Sequence, residues 1–497
     1  MAEETLELAP LERFVGRFAL GYERGEGSPH FLRIKVVGGE LTAAQAKAIA
    51  ELAEDYGKGY LEITTRHNIQ LHWIRDEDAP EIFAKLEKLG LTTDMCGQAY
   101  PEARYGDVRN IVACPVSGVQ KGELMDVSPI VKEAAEFFTG KKEYLDLPRK
   151  FKITISSCPL NCTRPEINDL ALLSVETERG VGFTPLVGGG IAPPPMLAKP
   201  MNVYVEPEGV LSFLKAIVGV YRDRGSREVK AKARFKWMVK ALGVEKIKRL
   251  IEERMGKKLE FFNADGLNLA WDDHVGIQPQ KQEGLFFIVV PIPAGVLTSD
   301  KLLKLVEIAE EHCGGKMRVS PLQKIVLINV PEGKLEEIKE ELKQLGFPTD
   351  RPRIRWTTIA CPTHFCGKAL ENVKERALEV EEHLEKVFGE GLRGVKARIC
   401  FSGCPNSCGH HPIAEVGLQA ARITAGGGAA PAYNVYLGGK SKVSKLFLKA
   451  VPAEEVKAEV EKIFRAYLEA RNNFESFRDF AESLLEGKEV GDEIREN

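Results

Sequence analysis

No stretch of this chain is apolar for long enough to cross a bilayer; even IVACPVSGV is short and broken by Pro115 and Gly118. A cationic leader is also missing, since the chain opens MAEETLELAPLERF, acidic and with no apolar run behind it. A cytoplasmic location is therefore expected. Neither sign of charge dominates: the net charge is −3 over 497 residues, which excludes a nucleic-acid binder working through a basic surface. The basic stretch from Lys230 to Lys240 alternates with apolar residues and reads as the solvated face of a helix. Fingerprints for flavin or nicotinamide are absent, so redox chemistry here would need a separate electron donor. Cysteine is sparse, at ten residues, and clustered thiols in a cytoplasmic protein bind metal more often than they form disulfides.

Five of those cysteines lie between Cys361 and Cys408, in CPTHFC and CFSGCPNSCGHH. Cys361 and Cys366 form one pair and Cys404 and Cys408 another. Four thiolates arriving as two close pairs from separated loops suit an iron–sulfur cluster. Zinc and inert buried thiols are the alternatives, but structural zinc favours tighter spacings, such as two residues between cysteines. Gly403, Ser407 and Gly409 allow the backbone to curl closely around a cluster. Cys96, Cys313 and Cys400 read as free buried thiols. His410 and His411, beside Cys408, read as facing a cofactor or solvent.

The chain is written twice. LEITTRHNIQLHWI (residues 61–74) runs parallel to MRVSPLQKIVLINV (317–330), and HFLRIKVVGGELT to FFIVVPIPAGVLT at the same offset. IVACP around Cys114 matches TIACP around Cys361, and SSCPLNC (Cys158, Cys162) matches SGCPNSC (Cys404, Cys408). Each copy reads strand–helix–strand–helix, followed by a cysteine-bearing α/β segment. Gly57-Lys58-Gly59 and Gly314-Gly315 stop the first helix of each copy. The copies join near residues 256–276, and the tail beyond Pro452 reads as an amphipathic helix.

The copies have diverged. The position matching Cys366 falls near Val119, so the first copy lacks a fourth cysteine, and Cys114, Cys158 and Cys162 read as the vestige of a duplicated cluster site. The first copy instead carries Arg33, Arg66, Arg109, Arg149, Lys150 and Lys152, whose counterparts are expected to be mostly apolar or neutral, as Leu322 is opposite Arg66. Arg66, Asn68 and Gln70 share one strand face at period two, a poor core face. That face suits a carboxylate-rich ligand, because Arg grips carboxylates in bidentate fashion; a solvated sheet edge is the plain alternative. Lys150 and Lys152 likewise stand two apart on a strand. One half is expected to hold metal and the other to hold anions.

TTRHNIQLHWI, GDVRNIVACP, LPRKFKI, RPEINDLAL, IQPQKQEG and SGCPNSCG together resemble, in order, the signatures of the sirohaem-dependent sulfite and nitrite reductases. The resemblance covers residues 14–440. It implies an α+β, duplicated, pseudo-twofold fold: residues 10–90 and 263–350 as ferredoxin-like half-repeats pairing in a joint domain, and residues 91–262 and 351–497 as two mixed α/β domains. It implies a [4Fe-4S] cluster on Cys361, Cys366, Cys404 and Cys408, with Cys408 bridging to the sirohaem iron. Arg33, Arg109, Lys150 and Lys152 would line the open face of the iron. Thr64, Arg66, Asn68 and Gln70 would hold macrocycle carboxylates, as would Lys281 and Asn406. In one respect the chain departs from the family, which usually has five residues between the first two cysteines where this sequence has four, so the loop there differs by a residue.

The implied activity is six-electron reduction of sulfite to sulfide with an external donor, ferredoxin or a dedicated subunit. Lys-x-Lys in PRKFK looks like the sulfite-reducing members, whereas plant-type nitrite reductases tend to have Asn at the second Lys; nitrite is the alternative substrate. The cations would neutralise a bound oxyanion. Lys150 and Lys152, crowded by like charges, would donate protons. A sirohaem or iron–sulfur protein that only carries electrons or senses redox state is a third reading, for which an anion-binding pocket has no use.

Overall fold

The structure is a computed structural model that describes residues 14, 16–24, 29–94, 106–267, 272–362, 365–425, 427–438 and 443–487. Cys96 lies outside the described residues. Each half-repeat builds an antiparallel sheet and lends one short strand to the other. In the first sheet Leu20–Tyr22, His30–Lys35, Asn68–Ile74 and Tyr60–Ile63 lie side by side, and Val296–Thr298 of the second repeat completes the row. In the second, Ile277–Pro279, Leu285–Val289, Lys324–Pro331 and Lys316–Ser320 are completed by Glu40–Thr42 of the first. The crossings are made by tight turns with left-handed backbone at Gly38 (φ 60°) and Ala294 (φ 45°).

The helices Ala43–Tyr56 and Ser299–His312 follow directly on the exchanged strands. The first starts at a capping box in which Thr42 and Gln45 satisfy each other's backbone amides, an arrangement that contributes about 1 kcal/mol. It stops at Gly57, with Gly59 left-handed (φ 66°), and Gly314 and Gly315 do the same for its partner. The two helices pack on each other, and Ile49, Leu52 and Ala53 share a core with Leu302, Leu305 and Ala309. Neither half-repeat buries its apolar face alone, which is why the two make one domain.

The cysteine-bearing segments each form a mixed sheet with a separate core. In the first, Ile153–Ser156 runs parallel to Leu170–Thr177, which pairs antiparallel with Gly180–Val187. In the second, Ile399–Ser402 is parallel to Val416–Ala425, itself antiparallel to Gly428–Leu437. The tail forms two helices, Val456–Ala470 and Phe477–Glu486. No helix among the described residues is long and apolar enough to cross a membrane.

Three sequence expectations need correction. Ile153 pairs with Leu170 and Ile399 with Val416, a register that sets Lys150 and Lys152 opposite Lys396 and Arg398. The two lysines therefore have cationic counterparts; only Arg33 (Val289), Arg66 (Leu322) and Arg109 (Trp356) face apolar ones. Secondly, Arg66 lies in the turn before its strand, which begins at Asn68 after a left-handed His67 (φ 56°). Thirdly, the basic stretch is not wholly a solvated face. Lys230 and Lys232 are exposed, but Arg234 is buried on Asp169 (2.8 Å), and the buried Lys236 ammonium donates to Gly190 O (3.2 Å) and Pro194 O (2.7 Å).

Candidate functional site

The second-copy cysteines sit where parallel strands end. Cys361 follows Ile359–Ala360, and its amide donates to Phe401 O (3.1 Å). Cys404 to Cys408 follow Ile399–Ser402 in a turn whose Ser407 and His410 are left-handed (φ 59° and 66°). A Cβ on Gly409 would stand 1.8 Å from Phe401 O, so only glycine lets the turn close onto its strand. The loop carrying Cys366 is stitched down by Leu370 N to Gly403 O (2.9 Å) and by Arg24, which donates to Ala369 O (3.0 Å) and Gly367 O (2.6 Å). Phe365 of that loop packs on His72 and Trp73. Against the opposing effect of burial, hydrogen bonds from Glu23 and Glu62 raise His72 to about 9, so it stays charged between two carboxylates.

The four thiols feel one another. Burial pushes Cys361 well above the usual thiol range, and the charges of Cys408, Cys366 and Cys404 push it the same way, while the Gly403 amide, 3.1 Å from its sulfur, opposes them. Such a set is stable as thiolates only with cations between them.

Facing Cys361 and Cys408 is a cleft of about 690 Å³. Arg33, Arg66, Arg109, Lys150 and Lys152 line it with Thr64, Asn68 and two carboxylates, Glu62 and Asp94. Arg33 is tied to Gln70 Oε1 (2.8 Å) and Arg109 to Asp107 (2.9 Å). Asn68 holds Asp94 Oδ2 (3.0 Å) and also contacts Asn110 (2.8 Å), which donates to it. Arg66 spends its terminal nitrogens on Asn168 Oδ1 (2.9 Å) and Asn110 O (2.6 Å), but its buried Nε has no acceptor. The ammonium groups of Lys150 and Lys152 have no protein partner among the described residues. Burial lowers Lys150 to about 8, helped by Arg234, Arg109 and Arg149 against the opposite pull of Cys408; burial and the charge of Lys150 take Lys152 well below the ordinary lysine range.

The cleft gathers Arg33, Thr64, Arg66, Asn68, Arg109, Lys150, Lys152, Cys361 and Cys408. Three expected ligand-holding residues are not at its wall. Gln70 is turned to Arg33; Lys281 is drawn away to Glu123 (2.9 Å); Asn406 is exposed at the tip of the Cys404–Cys408 turn. His410 and His411 are buried rather than solvent-facing, as are Cys313 and Cys400. Residues missed from the sequence are Gln323, which bridges Ile63 O (3.0 Å) and Ala360 O (2.8 Å) at the cleft, and Arg234, whose charge bears on both lysines. Arg234 gave no local signal because its partner, Asp169, is distant in the chain.

The unmet donors fit a large anionic ligand. The buried Arg66 Nε and two unpartnered ammonium groups supply what a carboxylate-rich macrocycle needs, and the mutually repelling thiols beside them supply what an iron–sulfur cage needs. By contrast, the described first-copy cysteines face no cleft. Cys114, Cys158 and Cys162 are buried with Phe287, Val289, Val326 and Trp356, and His274 joins them.

Comparison with known proteins agrees with this architecture. The family description "nitrite and sulphite reductase 4Fe-4S domain" matches residues 105–259 and 352–483, and "nitrite/sulfite reductase ferredoxin-like half domain" matches 22–89 and 278–345. Sulfite reductase [ferredoxin] 1 of Mycolicibacterium paratuberculosis is 32% identical over 92% of this chain and 82% of its own length. The ferredoxin–nitrite reductase of Leptolyngbya laminosa is 32% identical over 90% of this chain and 87% of its own. The structure of Mycobacterium tuberculosis NirA superposes with a TM-score of 0.87 at 27% identity, covering 95% of this chain and 89% of that one. The chain thus belongs to the nitrite and sulfite reductase family, oxidoreductases that carry a sirohaem and a 4Fe-4S cluster.

Proposed function

We propose that this enzyme reduces sulfite to sulfide in the cleft between the two copies, taking electrons from ferredoxin. Cys361, Cys366, Cys404 and Cys408 would hold the cluster, with Cys408 shared with the sirohaem iron. Arg66, Thr64 and Asn68 would meet the macrocycle, and Lys281, Gln70 and Asn406 would contribute only by moving from their present partners. When bound, the two cofactors supply the redox chemistry, passing electrons singly to the substrate.

The protein's own part is electrostatic. Arg33 and Arg109, each steadied by a neighbour, present guanidinium charge to the oxyanion. Lys150, at about 8, is close to the working range of a proton donor, and Lys152 gives up a proton more readily still. Water excluded from the cleft strengthens each of these charges.

The observation that carries sulfite over nitrite is the pair of unpartnered lysines. A dianion gains more from a second cation than a monoanion does. Nitrite is the second reading, supported by the nitrite reductase relative at the same 32% identity. Parallel turnover of both anions with reduced ferredoxin separates them: kcat/KM is expected to favour sulfite, and a clear preference for nitrite, or turnover of neither, contradicts the proposal.

A further inference from the structure

We propose that the first copy holds a single zinc ion on Cys114, Cys158, Cys162 and His274, a closed structural site that clamps the linker between the copies. The four ligand atoms all lie within 4.8 Å of one another and all four residues are buried. His274 Nε2 stands 3.3 Å from both Cys114 Sγ and Cys158 Sγ. Tetrahedral zinc, with bonds of about 2.3 Å to sulfur and about 2.0–2.1 Å to nitrogen, requires nitrogen–sulfur edges of about 3.6 Å and sulfur–sulfur edges of about 3.8 Å. The observed cage is that size. An iron–sulfur cube is too large for it, because each thiolate there binds a different iron and the sulfurs stand further apart.

The donor set is also that of zinc. Three cysteines and one histidine form a common closed coordination, with no position left for substrate. The Leu160 amide points at Cys158 Sγ (3.4 Å), a contact that favours a thiolate. The surroundings leave no room for a macrocycle. Phe287, Val289, Val326 and Trp356 pack against the thiols, and the His274 ring meets Phe287 edge-on at 5.8 Å. A disulfide would leave one thiol over, and the cysteines are unpaired.

His274 comes from the segment joining the copies, so the site ties that segment down. Asp272 N donates to Leu160 O (2.8 Å) inside the cysteine turn, Asp273 pairs with Arg164 (3.2 Å), and Val289 N donates to Gly276 O (2.9 Å). These contacts bring the histidine to the thiols, and a bound ion would lock the arrangement. Spacing alone could not reveal the site, because its fourth ligand lies 112 residues beyond Cys162 in a stretch without a motif.

The test is metal analysis of the holoenzyme from zinc-supplemented medium, with zinc-edge X-ray absorption of the same sample. One zinc per chain with a shell of three sulfurs and one nitrogen is expected. His274→Ala should lower zinc content at least fivefold while iron and acid-labile sulfide stay at the wild-type level. The absorption spectrum needs no variant, so the proposal stays open to refutation if His274→Ala fails to fold. Absence of stoichiometric zinc in the wild-type protein overturns the proposal, as does acid-labile sulfide at twice the content of one cluster.

Discussion

Residues 158–162 and 404–408 form the same turn in two different environments. Asn161 and Ser407 are both left-handed (φ 51° and 59°), as are Arg164 and His410 (φ 51° and 66°). In each turn the third amide after the first cysteine bonds back to it, Asn161 N to Cys158 O at 3.2 Å and Ser407 N to Cys404 O at 3.3 Å. What differs is the sheet face opposite. The turn at 158–162 meets Phe287, Val289 and Val326; the turn at 404–408 borders a cleft with Arg33, where Val289 would stand in the other copy. The duplicated cysteine turn sets only where sulfur can be. The facing sheet decides whether the site is closed around an ion or open to a macrocycle and an anion.

The lysines make the same point. Arg398, the counterpart of Lys152, is neutralised by Glu415 (3.1 Å). Asp169, the counterpart of Glu415, instead takes Arg234 at 2.8 Å and the backbone amide of Lys152 at 2.8 Å, leaving the ammonium of Lys152 for the cleft. A duplicated position thus yields a structural cation in one copy and a cleft-facing cation in the other.

Breaking the comparison should have graded consequences. Cys408→Ser should abolish cluster and sirohaem absorption and all turnover, whereas Cys114→Ser should leave the iron content intact; absorption and iron analysis check both. Lys152→Met should slow turnover by about 100- to 10,000-fold with cofactor content unchanged, if this residue supplies protons. Val289→Arg, which writes the cleft's charge into the closed site, should destabilise the protein by about 3–5 kcal/mol, the penalty of a buried charge without a partner, read by denaturant unfolding. Arg33→Leu should raise the KM for sulfite by about 10- to 100-fold, the equivalent of one charged hydrogen-bonding group.

The smallest effect is one of pH. Burial is the largest cause of the lowering of Lys150 to about 8, so it loses its charge as pH rises through that value. Turnover that needs the protonated lysine should then fall about tenfold per pH unit above it. A rate profile of Lys150→Met should lack that limb.

Much of this was legible in the sequence because the chain repeats. The offset between residues 61–74 and 317–330 survives in the paired strands, where Leu61 faces Leu71 just as Met317 faces Leu327. The gathering of Arg33, Arg109, Lys150 and Lys152 opposite Cys408 was also readable from divergence between the copies. The reciprocal exchange of Glu40–Thr42 and Val296–Thr298 was not, because three-residue strands carry no periodic signal. Lys281 and Gln70 were misplaced for a common reason. Motif position gives no account of competing partners such as Glu123 and Arg33, which lie far away in sequence and close in space.

Iron-edge anomalous diffraction from crystals of the holoenzyme tests the central claim most directly. The account predicts iron between Cys361, Cys366, Cys404 and Cys408 and a further iron in the adjoining cleft, with none at Cys114, Cys158, Cys162 and His274. An iron peak at the first-copy thiols, or an iron-free cleft beside Lys150 and Lys152, would contradict it.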